Sequence, residues 1–270
     1  MENINTDIEK RIRDYYEKYY KDQLGLKDWE HRCELRLNEE KIYCNTYIER
    51  IESWLNYDFN GKKVLVVGSG TGGELVNFHN LGAKVYGIEP NVEAFKISLL
   101  KAKKIGLNKD QVKCEYSENI GYEDNSFDFV YCYTVLEHVQ DVEKSLSEMI
   151  RTTRENGYLF IQTPDYRQLY EPHYKLPLPM ILPNLINKMF LWFLKKPTTF
   201  LDTLNKLNSL KMKRFFQKLP VNYFRIYTKY EKFYSESPVV RIIFKIQYTL
   251  FAYFGVSFNQ AWILQKIKNS

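Results

Sequence analysis

The sequence predicts an α/β protein built on a mostly parallel sheet with flanking helices, and three observations carry that prediction. Residues 63–67 read Lys-Val-Leu-Val-Val, a continuous apolar and β-branched run that is typical of a strand buried on both faces. Glycines at 68, 70 and 72 follow this run directly. Strand-like runs then alternate with helix-like stretches up to residue 163, which indicates βαβ units.

The first 56 residues precede this sheet. Apolar and aromatic side chains recur there at intervals of three and four over residues 3–23 and 29–56, a spacing that predicts amphipathic helices. We therefore expect an N-terminal helical cap over residues 1–56 and the principal domain over residues 57–270.

The predicted elements of the principal domain alternate in type. Strands are predicted at residues 63–67, 84–88, 112–116, 127–133 and 158–163. Helices between them are predicted at residues 72–81, 91–105 and 141–154. A parallel sheet of this kind binds its ligands at the carboxyl ends of its strands, so the candidate site residues should follow strands.

The pattern changes after Pro164, where prolines and aromatic residues become frequent. Two apolar and basic helical insertions are predicted in the C-terminal part, at about residues 167–208 and 230–257. The elements expected here are helices at 179–195, 208–218 and 238–254, and strands at 222–228 and 260–267. The apolar stretch at 179–195 is too short and too interrupted to cross a bilayer. The insertions either build an acceptor pocket, pack as core, or rest on a membrane surface.

Composition bounds the class of protein. The chain has 270 residues, of which 44% are hydrophobic and 27% charged, as in soluble globular proteins. The charged first residues do not resemble a signal or transit peptide, so we expect a cytoplasmic protein, with peripheral membrane contact as an addition. No Cys-x-x-Cys or Cys/His spacing is present, so no metal site is predicted.

Charge is unevenly distributed along the chain. Up to Tyr166 there are 22 Lys and Arg against 29 Asp and Glu, whereas the remainder has 17 against 4. Such a basic and aromatic second part favours an anionic acceptor or an acidic membrane surface, and a merely solvated basic face is the alternative. The absence of base-flipping and RNA-binding motifs argues against nucleic acid as a partner.

A glycine-rich turn follows the first strand. Gly68, Gly70 and Gly72 allow a sharp turn and the close approach of a ligand, and the next helix offers free N–H groups. Glu89 ends the second strand, where a carboxylate can accept hydrogen bonds from a ribose diol. Both features suit S-adenosylmethionine (SAM) and nicotinamide dinucleotides alike, since Gly68, Gly70 and Gly73 also satisfy the dinucleotide pattern.

A third group of motifs separates these alternatives. Residues 117–139 read Ser-Glu-Asn-Ile-Gly-Tyr-Glu-Asp-Asn-Ser-Phe-Asp-Phe-Val-Tyr-Cys-Tyr-Thr-Val-Leu-Glu-His-Val, and Asn-Gly-Tyr-Leu-Phe-Ile-Gln-Thr-Pro follows at 156–164. With the glycine turn, this order of motifs closely resembles the class I SAM-dependent methyltransferases, in particular their small-molecule branch, over roughly residues 60–166. The resemblance implies a Rossmann-like fold with a seven-stranded, mostly parallel sheet whose last strand is antiparallel.

The resemblance also implies which residues bind SAM. The glycine turn would lie beside the methionine moiety, Glu89 would hold the ribose hydroxyls, residues 116–118 would border the adenine, and residues 133–134 would lie near the methyl group. The implied cofactor-binding residues are Gly68, Ser69, Gly70, Thr71, Gly72, Glu89, Pro90, Tyr116, Ser117, Glu118, Tyr133 and Thr134. Two positions depart from the family: Val66 stands where an acidic residue is usual, and Tyr116 where an adenine-binding Asp is common.

Methyl transfer from a sulfonium depends on positioning and on exclusion of water more than on covalent help. A hydroxyl acceptor would benefit from a general base, and His138 and His173 are the candidate catalytic residues. A structural histidine beside Glu137 is the alternative for His138, and a polar turn is the alternative for residues 171–174. Arg36 in the cap either reaches the carboxylate of SAM or is a solvated helical arginine.

These expectations combine into one function with two rivals. We expect an enzyme that transfers a methyl group from SAM to a small molecule, a sugar or a lipid-linked intermediate, and releases S-adenosylhomocysteine. An NAD-type oxidoreductase is the first rival. A non-catalytic binding or scaffold protein is the second, favoured by Val66 and Tyr116.

Overall fold

The computed structural model describes residues 2–42, 45–226, 249 and 259–268. Its strands form one seven-stranded sheet. The strands are β1 Lys63–Val67, β2 Lys84–Ile88, β3 Val112–Lys113, β4 Phe127–Tyr133, β5 Thr153–Pro164, β6 Val221–Ile226 and β7 Asn259–Lys266. The strand expected at 112–116 is therefore shorter than predicted, and the other strands lie where the sequence placed them to within a few residues.

The order of strands across the sheet is β3-β2-β1-β4-β5-β7-β6. β1 pairs in parallel with β2 and β4, and β4 with β5, whereas β7 lies antiparallel between β5 and β6. This confirms the predicted α/β class and its mostly parallel sheet with the last strand antiparallel. The strand order reverses between β1 and β4, so a crevice opens between their carboxyl ends.

Helices cover both faces of the sheet and precede it. They are α1 Glu2–Glu17, α2 Trp29–Leu37, α3 Glu39–Ile42, α4 Asn45–Leu55, α5 Gly73–Asn80, α6 Val92–Lys104, α7 Val142–Thr152, α8 Asn184–Phe193 and α9 Ser209–Phe216. A π-helical segment at Lys18–Gln23 continues α1, and 3₁₀ turns occur at Lys109–Gln111 and Thr199–Thr203. Within the described residues, no helix has the length and apolar character needed to cross a membrane.

The central strand β1 is buried on both faces, as its unbroken apolar run predicted. Leu65 and Val67 belong to the core under one layer of helices, together with Leu146 of α7. Val64 and Val66 belong to the core on the opposite face. Val66 therefore fills a core position, where a valine packs well and an acidic side chain would be unpaired.

A third core joins the N-terminal helices to the segment that follows β5. Ile12 and Tyr20 of the N-terminal part share it with Tyr174, Leu191 and Leu201. The predicted N-terminal cap and the predicted insertion at 167–208 thus pack against each other. The boundary after residue 56 stays a prediction, and the insertion at 230–257, with its helix at 238–254, lies outside the described residues except for Thr249.

Two predicted helices differ from the observed ones. The helix expected over 29–56 is divided, because α2 ends at Leu37 and α3 begins at Glu39, whose side chain turns into the protein. The helix expected at 179–195 begins only at Asn184. Pro183 stands at its N-cap, where the missing N–H of proline costs nothing but prevents the helix from extending backwards.

Candidate functional site

The loop after β1 lies at the crevice and needs its glycines. Gly68, Gly70 and Gly72 have φ angles of +66°, +53° and +90°, a region that glycine adopts without steric cost. A Cβ at Gly68 would lie 2.4 Å from Cγ2 of Val135, so no larger residue fits there. No atom lies within 4 Å of a Cβ built on Gly70. The loop is thus packed tightly at Gly68 and has open space at Gly70, where a ligand can approach.

Glu89, which directly follows β2, presents a fixed carboxylate to this loop. Its Oε2 accepts a hydrogen bond from the Gly70 N–H at 2.8 Å, and its Oε1 accepts one from the Asn91 N–H at 2.9 Å. Glu89 is only 8% exposed, and burial raises the pKa of its carboxyl group, against the effect of the two N–H groups. Each oxygen retains a further lone pair, so the carboxylate can accept two more hydrogen bonds from a diol.

Residues of the N-terminal cap also hold the glycine loop in place. Thr71 donates a hydrogen bond to Glu39 Oε1 at 2.6 Å, and the hydroxyl of Tyr16 in α1 lies 3.3 Å from Thr71 Oγ1. Lys101 Nζ donates to the same Glu39 oxygen at 2.6 Å. Ser69 is buried, with its hydroxyl 3.3 Å from that of a serine in α6. The side chains of Ser69 and Thr71 therefore fix the loop, and its backbone is what faces the crevice.

Two further side chains of the cap approach the same place. Burial and the negative charge of nearby Glu89 raise the pKa of Tyr15 to about 12. The Arg36 guanidinium donates to the Tyr20 hydroxyl at 2.9 Å and lies 3.7 Å from Glu39 Oε2. Arg36 thus belongs to the network that holds the glycine loop, and its contact with the carboxylate of SAM stays a prediction.

The residues expected beside an adenine lie at the edge of the crevice. Tyr116 is 56% exposed, whereas Ser117 is buried with its Oγ 2.9 Å from that of Ser145 in α7. Glu118 Oε1 accepts two backbone N–H groups just before α7, at 2.7 and 3.2 Å. Pro90 is half-buried, and its carbonyl accepts a thiol hydrogen bond from the loop after β3. Ser117 and Glu118 therefore anchor this edge, and Tyr116 is the side chain left accessible.

The end of β4 supplies the residues expected near a methyl group. Tyr133 is half-buried, with its ring 5.4 Å from that of Tyr47. Thr134 has a positive φ of +53°, is exposed, and donates its N–H to the Gln162 carbonyl at 2.9 Å. The buried side-chain amide of Gln162 has no hydrogen-bond partner among the described residues. This end of the sheet thus combines a sharp turn with an unpaired polar group.

The structure brings the two candidate catalytic histidines together. His138 follows β4, whereas His173 lies 35 residues further along the chain. The rings of His138 and His173 lie 5.1 Å apart, and both contact Phe200, at 5.8 and 5.1 Å. His138 is accessible to solvent, yet the protein around it and the neighbouring His173 lower its pKa to about 3. His138 is therefore neutral near pH 7, and a neutral imidazole has a nitrogen lone pair that can bind an ion.

Two carboxyl groups beside these histidines were not predicted as site residues. Glu137 is fully buried; burial raises its pKa to about 7, and Thr163 donates a hydrogen bond to its Oε2 at 3.0 Å. Glu171 is also fully buried, with its Oε1 2.6 Å from His173 Nδ1. The Glu-His pair at 137–138 and the Glu-x-His spacing at 171–173 are visible in the sequence, but their meeting depends on the fold.

Part of this site lies in a segment that matches a known protein family. The family described as "Methyltransferase domain" matches residues 65–161. The ubiquinone biosynthesis O-methyltransferase of Klebsiella pneumoniae is 31% identical over 103 residues, covering 38% of this chain and 43% of that protein. Norajmaline N-methyltransferase of Rauvolfia serpentina is 33% identical over 111 residues, covering 40% of this chain and 38% of that protein. The chain thus spans less than half the length of these curated relatives.

Solved structures extend the likeness in fold beyond that segment. The PH0226 protein of Pyrococcus horikoshii superposes with a TM-score of 0.57 at 13% identity, over 94% of this chain and 98% of that one. At this identity the match concerns the fold alone. The matched segment 65–161 contains the glycine loop, Glu89 and His138, whereas Arg36 and His173 lie outside it.

Proposed function

We propose that this chain transfers a methyl group from SAM to a small-molecule acceptor. The match of residues 65–161 to the family described as "Methyltransferase domain" supports this proposal. The observation that carries the proposal is the Glu89 carboxylate, fixed by the Gly70 N–H at the crevice between β1 and β4. A held acidic group opposite an open glycine turn fits an adenosyl ribose beside a methionine chain.

The described residues fit SAM at several points. The space at Gly70 leaves room for the methionine chain, and the two remaining lone pairs of Glu89 match the two ribose hydroxyls. Arg36 would offer a positive charge to the methionine carboxylate, and Tyr116 an accessible ring to the adenine. The remaining cofactor-binding residues named from the sequence would act mainly by shaping the loop and the edge of the crevice.

SAM supplies a methyl group that is already activated by its sulfonium charge. The protein has to align the acceptor with the C–S bond and to keep water out, tasks that suit a crevice bordered by the N-terminal cap. A hydroxyl acceptor must also lose a proton. We propose that His138 and His173 act at the acceptor, because their rings lie 5.1 Å apart beside the end of β4.

Calorimetry with SAM tests the proposal directly. We expect one SAM per chain for the wild type and no binding for Gly70→Arg, whose side chain would fill the open space. Gly106→Arg is the matched control, since Gly106 also has positive φ and free space but lies at the end of α6. NADH binding in place of SAM would establish the oxidoreductase rival. SAM binding without transfer of label from SAM into any fraction of a cell extract would establish the non-catalytic one.

We further propose that the acceptor is anionic or lipid-linked and is met at a membrane surface. The segment 181–194, which includes α8, exposes nine large apolar side chains, with accessibilities from 38% to 80%. They are Ile181, Leu182, Leu185, Ile186, Met189, Phe190, Trp192, Phe193 and Leu194. The basic residues in or beside this segment include Lys188, Lys195, Lys206 and Lys211. Lys206 donates to the Leu182 carbonyl, Lys211 to the Lys206 carbonyl, and Lys188 pairs with Asp202. Apolar and aromatic side chains with a basic rim suit the interface of an anionic membrane.

Vesicle sedimentation tests this surface. We expect the protein to sediment with vesicles of phosphatidylglycerol and phosphatidylcholine, and less with phosphatidylcholine alone. The double variant Trp192→Ser/Phe193→Ser should bind at least about tenfold more weakly, because it removes two large apolar groups from the interface. Trp54→Ser, which changes an exposed tryptophan on α4, should bind as the wild type does. Absence of vesicle binding by the wild type would refute the proposal.

A further inference from the structure

We propose that Glu137, His138 and His173 form a binding site for one divalent transition-metal ion beside the acceptor end of the crevice. Each of the three residues offers one ligand atom, and these atoms all lie within 4.8 Å of one another. Ligands that are each about 2.1 Å from one ion lie roughly 3 to 4 Å apart. The most distant pair would have to approach by roughly 1 to 2 Å for the three atoms to share one ion.

The state of Glu137 is the first independent sign of a cation. Its side chain is fully buried, and Oε1 has no hydrogen-bond partner within the described part of the chain. A buried carboxyl oxygen without a hydrogen-bond partner is costly, and a bound metal ion would satisfy it. Thr163, which bonds the other oxygen, holds the carboxyl group in place.

The setting of His173 is the second sign. Its Nδ1 lies 2.6 Å from Glu171 Oε1, and Glu171 Oε2 accepts the Tyr174 N–H, also at 2.6 Å. A carboxylate that accepts from Nδ1 fixes the ring and leaves the Nε2 lone pair for another partner. Histidines that bind metals are commonly held by a carboxylate in this way. Glu171 is therefore a positioning residue for His173.

The kind of ion follows from the ligands. Two imidazoles and one carboxylate favour zinc, manganese, iron, cobalt or nickel over magnesium and calcium, which prefer oxygen. His138 is accessible to solvent, so an ion here would keep open positions. The site is thus of the kind that binds a reacting molecule rather than a closed structural site.

The consequence for catalysis rests on the proposed methyl transfer. A hydroxyl of the acceptor placed on the ion would release its proton to solvent more easily. The oxygen would then attack the methyl carbon, forming the O–C bond as the C–S bond breaks and its electron pair stays on sulfur. In this account the two histidines act by holding the ion, and an acceptor oxygen becomes the expected site of methylation.

Metal binding tests the inference without any methyl transfer. Tag-free protein, freed of metals by a chelator, would be titrated with Co²⁺ by visible absorption and with Zn²⁺ by calorimetry. We expect one ion per chain for the wild type. His138→Ala and His173→Ala should each weaken binding at least about tenfold, and Glu171→Gln about 10- to 100-fold. His31→Ala, which removes an exposed histidine on α2, should leave binding unchanged.

Two controls keep the result decisive. Thermal melting of each metal-free variant shows whether it is folded. His138 is exposed, so His138→Ala should remain folded and still test metal binding if a variant at a more buried position unfolds. Calorimetry of SAM on metal-free protein is run in parallel. Loss of SAM binding would overturn the methyl-transfer proposal alone. Absence of stoichiometric Co²⁺ binding, or binding unaffected by both histidine variants, would overturn the metal site.

Discussion

Replacing Glu89 by glutamine changes one oxygen into an NH₂ group and should weaken SAM binding strongly. In the folded protein the carboxylate accepts the Gly70 and Asn91 N–H groups on different oxygens. A glutamine amide has one acceptor oxygen, so one of these N–H groups would face another donor. In the complex, one ribose hydroxyl would likewise lose a charged acceptor.

The magnitude follows from these lost bonds. A hydrogen bond to a charged group contributes about 1.5–3 kcal/mol, so the loss of one ribose contact should raise the Kd for SAM about 10- to 150-fold. The unpaired N–H should also lower the free energy of unfolding by about 1–3 kcal/mol. Calorimetry measures the Kd for SAM, and urea denaturation measures the free energy of unfolding.

Glu93→Gln is the matched control for this variant. Glu93 lies four residues further on, is exposed, and pairs with Lys96 on the surface of α6. Glu93→Gln should change neither the Kd for SAM nor the free energy of unfolding appreciably, because an exposed ion pair contributes little to stability. If Glu89→Gln bound SAM as tightly as the wild type while remaining folded, the assignment of Glu89 to the ribose would be wrong.

Three further predictions concern stability. Gly68→Ala should lower the free energy of unfolding, measured by chemical denaturation, by roughly 2–5 kcal/mol, because strain at positive φ adds to the clash with Val135. Gly61→Ala is the control: it has positive φ but free space, so the loss should be only about 1–2 kcal/mol. Lys101→Met should cost up to about 3–5 kcal/mol, since it removes the nearer of the two cations from the buried Glu39 and leaves only Arg36; an unchanged unfolding midpoint would contradict this. The positive charges of Lys101 and Arg36 lower the pKa of Glu39 by more than burial raises it, so its pKa in the folded protein lies below the usual value. The melting temperature should therefore fall as the pH drops below about 4.5, and it should fall less in Glu39→Gln.

Local pattern was enough to predict the central sheet. The run at 63–67 forms β1, which is buried on both faces, and the glycines after it have positive φ angles. These features depend only on local backbone geometry and on burial, which the sequence pattern reports directly. The match of residues 65–161 to a methyltransferase domain agrees with the family resemblance. The identity of the individual SAM contacts stays a prediction, because it depends on a ligand.

The histidine cluster could not be predicted in the same way. Glu137 and His138 follow β4, whereas Glu171 and His173 lie in the segment after β5, and no fixed spacing links the two pairs. Their meeting requires the segment 167–208 to fold back over the sheet and pack on the cap. The expectation of no metal site rested on Cys and His spacing, which detects ligands that are near in sequence only.

A crystal structure of the protein with S-adenosylhomocysteine tests the central claim most directly. We predict electron density for the nucleoside between the glycine loop and Glu89, with both ribose hydroxyls within hydrogen-bond distance of the Glu89 carboxylate. A ribose bound elsewhere, or a crevice that the compound does not enter at saturating concentration, would contradict the account.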